Sequence, residues 1–174
     1  MPTVSRLLKP SAILWVGVYV VSIVALNKLY VALPMVSTPM GDFSWANLIV
    51  GGVFVLRDYA QRSIGHYVLL ATLAAGIATW FAVDPFVAVA SVTAFALSEM
   101  TDWAVFSFTR RPLQSRILIS SAISVPVDTL AFLYLIGQLS PASFSLECLS
   151  KVAGVILLWA ILRAGLRRSP ALVS

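Results

Sequence analysis

Asp58, Glu99, Asp102 and Asp128 stand inside stretches of sequence that are otherwise apolar. An acid at the centre of a membrane helix costs about 2.5–3.5 kcal/mol on insertion scales. Four such acids facing lipid would cost roughly 10 kcal/mol together, which rivals the about 5–15 kcal/mol that holds a typical domain folded. They are therefore expected to turn inward, to partners or to a wet cavity. Helical spacing agrees. Asn47, Gly51, Phe54 and Asp58 share one face, Glu99, Asp102 and Phe106 another, and Ser120, Ser124 and Asp128 a third. Asn27 and Lys151 add donors that could face the same interior. Ionisable groups inside a membrane default to a ligand or ion pathway. For Asp102 and Asp128 this reading outweighs structural pairing with Lys28 or Lys151. Asp58 beside Arg57 keeps two readings, a site residue or an interfacial ion pair. Trp103, Phe106 and Phe132 are either packing aromatics or a stacking wall for a flat ring.

The elements that must carry these residues follow from composition. The chain has 174 residues, 60% of them hydrophobic and 11% charged, with a mean hydropathy of +0.95. A soluble domain has about 45–50% apolar and about 25% charged residues, so this chain belongs to the membrane class. An apolar helix needs about 20 residues to cross the hydrocarbon. Six runs are read, at about 11–34, 44–63, 66–83, 86–108, 115–138 and 148–166, within one transmembrane domain covering 1–174. Pro, Gly and Ser punctuate the breaks, as in "RSIGH", "TRRPLQS" and "QLSPASFS". The expected fold is all-α, a polytopic integral membrane protein with six transmembrane helices.

The basic residues set its orientation. Arg6, Lys9, Arg57, Arg62, Arg110, Arg111, Arg116, Arg163, Arg167 and Arg168 all fall on one side of a six-span chain. The positive-inside rule then places both termini in the cytoplasm. The net charge of +5 is read as basic loops, not as a nucleic-acid footprint. A single cysteine, Cys148, and a single histidine, His66, argue against a disulfide and against a thiol or imidazole metal site. With no Walker-type phosphate loop, no nucleophile–base pair and no cofactor motif legible, neither ATP hydrolysis nor an enzyme is expected.

The segments "SWANLIVGGVFVLRDYAQRSIG", "AFALSEMTDWAVFSFTRR" and "SVPVDTLAFLYLI" resemble the polar motifs of the vitamin-uptake-transporter family. Some bacterial members of that family import queuosine precursors, the 7-deazaguanines preQ0 and preQ1. The resemblance runs from about Asn27 to Lys151. It matches Asp58 followed by Arg62, Asp102 with Phe106, and Asp128 with Thr129 and Phe132. Asn27 and Lys151 are similar to further polar positions, while Glu99 stands where the pattern leads us to expect a neutral amide. The resemblance implies a secondary transporter in a bacterial inner membrane, carrying a purine-like small molecule. A 7-deazaguanine offers a ring N–H beside an exocyclic amine, which a carboxylate accepts as a fork. Asp102, Glu99 or Asp128 would serve, with Lys151 or Asn27 on the ring carbonyl and an aromatic on the ring face. Proton coupling through a buried acid and a homodimer are both left open. Two other readings stay open as well: a substrate-binding membrane subunit of an ATP-driven uptake system, and a structural or pore-forming protein.

Overall fold

The structure is a computed structural model that describes residues 10–34, 36–39, 41–82 and 85–168. Arg6 and Lys9 lie outside the described residues, as do the side chains of Arg167 and Arg168. Among the described residues there are six α-helices: α1 (Pro10–Ala32), α2 (Ala46–Ile64), α3 (Val68–Trp80), α4 (Pro85–Phe108), α5 (Leu113–Leu135) and α6 (Pro141–Arg168). Long apolar runs become helices because a backbone in lipid must satisfy its own hydrogen bonds.

Among the described residues, four stretches are long and apolar enough to cross a membrane: Pro10–Tyr30, Ala46–Trp80, Leu113–Leu135 and Pro141–Gly165. This is fewer than the six spans expected. The second stretch joins α2 and α3 through a 3-10 turn at Gly65–Tyr67. It is no straight rod. Arg57 on α2 and Thr72 on α3 both reach the Glu99 carboxylate, at 2.9 and 3.4 Å, so the chain reverses between them. Gly65 makes the reversal with φ of 63°, a conformation that other residues rarely adopt. At 13 residues, α3 is about 20 Å long, shorter than the roughly 30 Å hydrocarbon core.

Cross-helix contacts show that successive helices alternate in direction. Trp15 stacks on Tyr59, with ring centroids 4.7 Å apart, while Tyr19 and Arg57 meet on Glu99. Between α4 and α5, Ser98 bonds Asp128 and Ser124 bonds Asp102, which is an antiparallel register. One end of the bundle therefore holds Gly65 and the α4–α5 connection. The other holds the α5–α6 connection. A short antiparallel hairpin, β1 (Val36–Thr38) with β2 (Gly41–Phe43), joins α1 to α2 where only a loop was expected.

The largest boundary correction is at α6, which begins at Pro141 rather than near 148. The Ser140 hydroxyl accepts the Ser143 N–H at 3.0 Å, and Pro141 sits in the first turn. Ser before Pro marks a helix start here, not a break. Pro126, by contrast, lies inside α5 without ending it.

α2 and α6 cross with their backbones in contact. A Cβ on Gly51 would fall on the Lys151 carbonyl, and one on Gly154 would fall on the Leu48 carbonyl. Small residues permit this approach in membranes, where dispersion packing replaces the hydrophobic drive between helices. Gly51→Val and Gly154→Val are expected to lose stability at or above the top of the about 1–3 kcal/mol range for overpacking. Gly17, with open space around it, should accept valine with little change. Thermal unfolding of the detergent-solubilised variants checks this.

Candidate functional site

The buried polar residues form two clusters, one helical turn apart. The first surrounds Arg57, which is fully buried. Its Nε donates to Glu99 Oε2 at 2.9 Å, and its Nη2 donates to the Glu99 carbonyl at 3.2 Å. Its Nη1 lies 3.0 Å from Asp58 Oδ1 and 2.9 Å from Asp102 Oδ2, and also donates to Gln61 Oε1. Neutral groups complete the shell. Tyr19 donates to Glu99 Oε2 at 2.8 Å, Ser120 to Asp58 Oδ2 at 3.0 Å and Ser124 to Asp102 Oδ1 at 3.1 Å. Glu99 is 1% exposed, and Asp58 and Asp102 are 0% exposed.

The second cluster centres on Lys151. Its ammonium donates to Asp128 Oδ2 and Thr129 Oγ1, both at 3.0 Å, and to Glu147 Oε2 at 3.1 Å. A lysine has three donors, so all are used. Among the described residues, Asp128 Oδ1 receives only the Ser98 hydroxyl, at 3.3 Å.

A cavity of about 50 Å³ adjoins this second cluster. Its polar wall holds Asn27, Asn47, Ser91, Asp128 and Lys151, and its aromatic wall holds Tyr30 and Phe132. The two rings meet edge to face at 5.4 Å. Asn27 is already engaged, donating to the Ile23 carbonyl at 3.0 Å and accepting from Ser91 at 2.5 Å. Asn47 differs. Among the described residues its side-chain amide nitrogen is buried without a hydrogen-bond partner. Buried donors are nearly always paired, and this one stands on the cavity wall. The volume holds a few waters and is far below the roughly 300–1,000 Å³ of drug-sized ligand sites.

The structure thus divides the residues singled out in the sequence. Asn27, Asp128, Phe132 and Lys151 line the cavity, and Thr129 reaches it through Lys151. Asp58, Glu99 and Asp102 do not line it; they hold Arg57. Arg57 and Asp58 are fully buried within α2 and its neighbours, so Arg57 is no loop cation. Phe106 is not free to stack on a ligand. It packs in the core, with the Arg116 guanidinium 3.8 Å from its ring centroid and donating to its carbonyl. Trp103 instead donates to His66 at 2.9 Å.

Sequence reasoning passed over Tyr19, Thr72, Ser98 and Glu147 as site residues. Glu147 had a signal, since it stands one turn before Lys151, but it was placed in a loop by the misread helix start. Tyr19 and Thr72 had none beyond being polar in apolar runs. A larger crevice of about 580 Å³ opens between α3 and α4. Apart from Thr72 and Glu99 its walls are apolar, and in a bilayer lipid chains would fill it.

Removing one partner from a buried ion cluster costs about 3–5 kcal/mol, because the remaining charges lose compensation. Arg57→Gln is expected to lose about that much, and Asp102→Asn added to it should recover part of the loss. Thermal unfolding of the two variants and of Asp102→Asn alone gives the coupling. Additive effects would show that the contacts around Arg57 do not act as a unit.

A family model described as "Putative vitamin uptake transporter" matches residues 12–164. No curated protein and no solved structure matches the chain. The matched residues take in nearly all of the six helices, both ion clusters and the cavity beside Lys151. The chain is thereby a member of the vitamin uptake transporter family.

Proposed function

We propose that this protein is a secondary transporter in a bacterial inner membrane that imports a purine-like precursor, a 7-deazaguanine of the preQ0/preQ1 type. The observation that carries the reading is the cavity wall. It sets a carboxylate oxygen of Asp128 and the unpaired Asn47 amide on one small buried volume, beside the Tyr30–Phe132 aromatic pair. A flat lactam with an adjacent amine has the matching groups. Its ring N–H and amine donate to the carboxylate, its carbonyl accepts from Asn47 or Lys151, and its face lies on an aromatic ring. Analogues lacking the amine leave a buried carboxylate unmatched, which is a penalty rather than a missed gain.

In this reading all six helices cross the bilayer, with α3 the shortest, and both termini are cytoplasmic. Arg62, Arg110, Arg111 and Arg163 gather toward the end of the bundle that holds Gly65 and the α4–α5 connection, which the positive-inside rule makes the cytoplasmic end. The cavity then lies in the outer half, and the Arg57 cluster lies between it and the cytoplasm. On α1, α2, α4 and α5 alike, cavity residues stand nearer the outer end and Arg57-cluster residues nearer the inner one. Import would require the cavity to widen and the inner cluster to part in turn, the alternating access expected of a transporter. The solute gradient or an ion gradient would drive it, with no catalysis by the chain.

Binding of preQ0, preQ1, queuine and guanine to the detergent-purified protein tests the reading. At least one 7-deazaguanine should bind. Asp128→Asn should weaken it by about tenfold to a hundredfold, the cost of one or two hydrogen bonds to a charged group, while the protein still inserts. Asn47→Ala should weaken it less. Absence of binding by all four compounds, or unchanged affinity in Asp128→Asn, refutes the assignment. Uptake into liposomes only after an ATPase is added would make the chain a subunit of an ATP-driven system.

A further inference from the structure

We propose that the carboxyl pair Asp58–Asp102, held on the Arg57 guanidinium, is the site of a translocated proton, distinct from the cavity that takes the substrate. The inference rests on the transport reading for its role, but the protonation itself follows from the geometry of the cluster.

Three carboxyl groups, Asp58, Glu99 and Asp102, surround one guanidinium. The groups that face them from the neighbouring helices are neutral: Tyr19 on α1, Gln61 on α2, Thr72 on α3, and Ser120 and Ser124 on α5. The next basic group, Arg116 on α5, is held on the Phe106 ring and carbonyl. Lys151 on α6 is spent on Asp128, Glu147 and Thr129. Fully ionised, the cluster would carry two uncompensated negative charges in a volume sealed from water. Buried charge of that kind is neutralised rather than tolerated.

The contacts say where a proton sits. Asp58 Oδ1 and Asp102 Oδ2 touch the same nitrogen, Arg57 Nη1, at 3.0 and 2.9 Å, although that nitrogen carries only two N–H groups and also donates to Gln61. Two buried carboxyl groups crowded onto one nitrogen share a proton, since like charges so placed do not both ionise. Independently, among the described residues Asp102 Oδ2 has its ion contact to Arg57 but no hydrogen bond. An unpaired acceptor at this depth calls for an explanation, and a proton shared with Asp58 supplies it.

The position suits coupling. The cluster lies on the inner side of the cavity, and Ser98, whose hydroxyl bonds Asp128, is the chain neighbour of Glu99. With one proton shared between Asp58 and Asp102, the charge that remains on the pair holds Arg57, which ties α2 to α4 and closes the inner half. A second proton taken onto this pair from the outer solution weakens that tie, so that the inner half opens. Its loss to the cytoplasm restores the ion pair and closes it. One O–H bond forms and the same one breaks, and nothing else changes covalently.

Proteoliposomes loaded with the purified chain decide the matter. An inward proton gradient should raise preQ0 or preQ1 accumulation several-fold, and a protonophore should abolish the gain. Asp58→Asn should bind and exchange substrate across the membrane yet lose gradient-driven accumulation. Accumulation by Asp58→Asn that still follows the proton gradient overturns the proposal, as does accumulation by the parent that follows sodium and ignores the protonophore. Should Asp58→Asn fail to fold, infrared spectra of the parent supply the second readout. A protonated carboxyl band that shifts on 13C-aspartate labelling and disappears in Asp102→Asn is expected; its absence at every pH where the protein is folded refutes the site. A parent that neither binds nor exchanges any of the compounds defeats the transport reading instead, and the infrared result still stands or falls alone.

Discussion

A guanidinium kept out of both water and lipid governs the architecture of this protein. Arg57 cannot be buried alone, because an unpaired ion in a low-dielectric interior costs several kcal/mol or more. It is satisfied by side chains from α2 and α4, which are themselves oriented by hydroxyls from α1, α3 and α5. The relative rotation of these helices is thereby specified. A helix that turned by one residue would withdraw a partner and strand a charge. Apolar packing alone gives no such instruction, since lipid tails solvate leucine as well as another helix does.

The second ion cluster follows the same logic with a different outcome. Lys151 is fully coordinated, but Asp128 keeps one oxygen lightly engaged and Asn47 keeps its amide nitrogen unengaged, both on a cavity wall. The contacts of the first cluster converge on one guanidinium away from the cavity, whereas the second turns a carboxylate oxygen and an amide nitrogen onto a cavity wall. Their spacing of one turn along α4 and α5 means that movement at either is felt at the other.

Close packing elsewhere supports the arrangement. The contact of α2 with α6 at Gly51 and Gly154 brings the Lys151 backbone against the helix that carries Asn47, Arg57 and Asp58. The side chains of both clusters are therefore mounted on helices whose backbones touch, and bulk at either glycine would separate them. Arg116 performs a comparable service at the end of α4, where it covers the Phe106 ring and takes up its free carbonyl. Helix C-termini leave such carbonyls unsatisfied, and a cation there also meets the negative end of the helix dipole.

The sequence by itself determined that the chain is helical and apolar enough for a membrane, and which helices carry buried acids. Hydropathy and helical spacing are local properties, legible from neighbours along the chain. They placed Asp128 on an inward face and offered Asn27 and Lys151 as donors that could meet it, while Phe132 entered through the family motif, and they located most helix boundaries closely. The start of α6 was misread because Ser-Pro serves both as a break and as a helix start, and only the cap geometry at Ser140 tells them apart. What tertiary structure alone decided is which acid meets which base. Asp58, Glu99, Asp102 and Asp128 look alike in sequence, and the first three were drawn to Arg57 while the fourth was left beside a void. That assignment depends on how helices distant in sequence rotate against each other, and electrostatic pairing in a dry interior, which no local pattern encodes, sets the rotation.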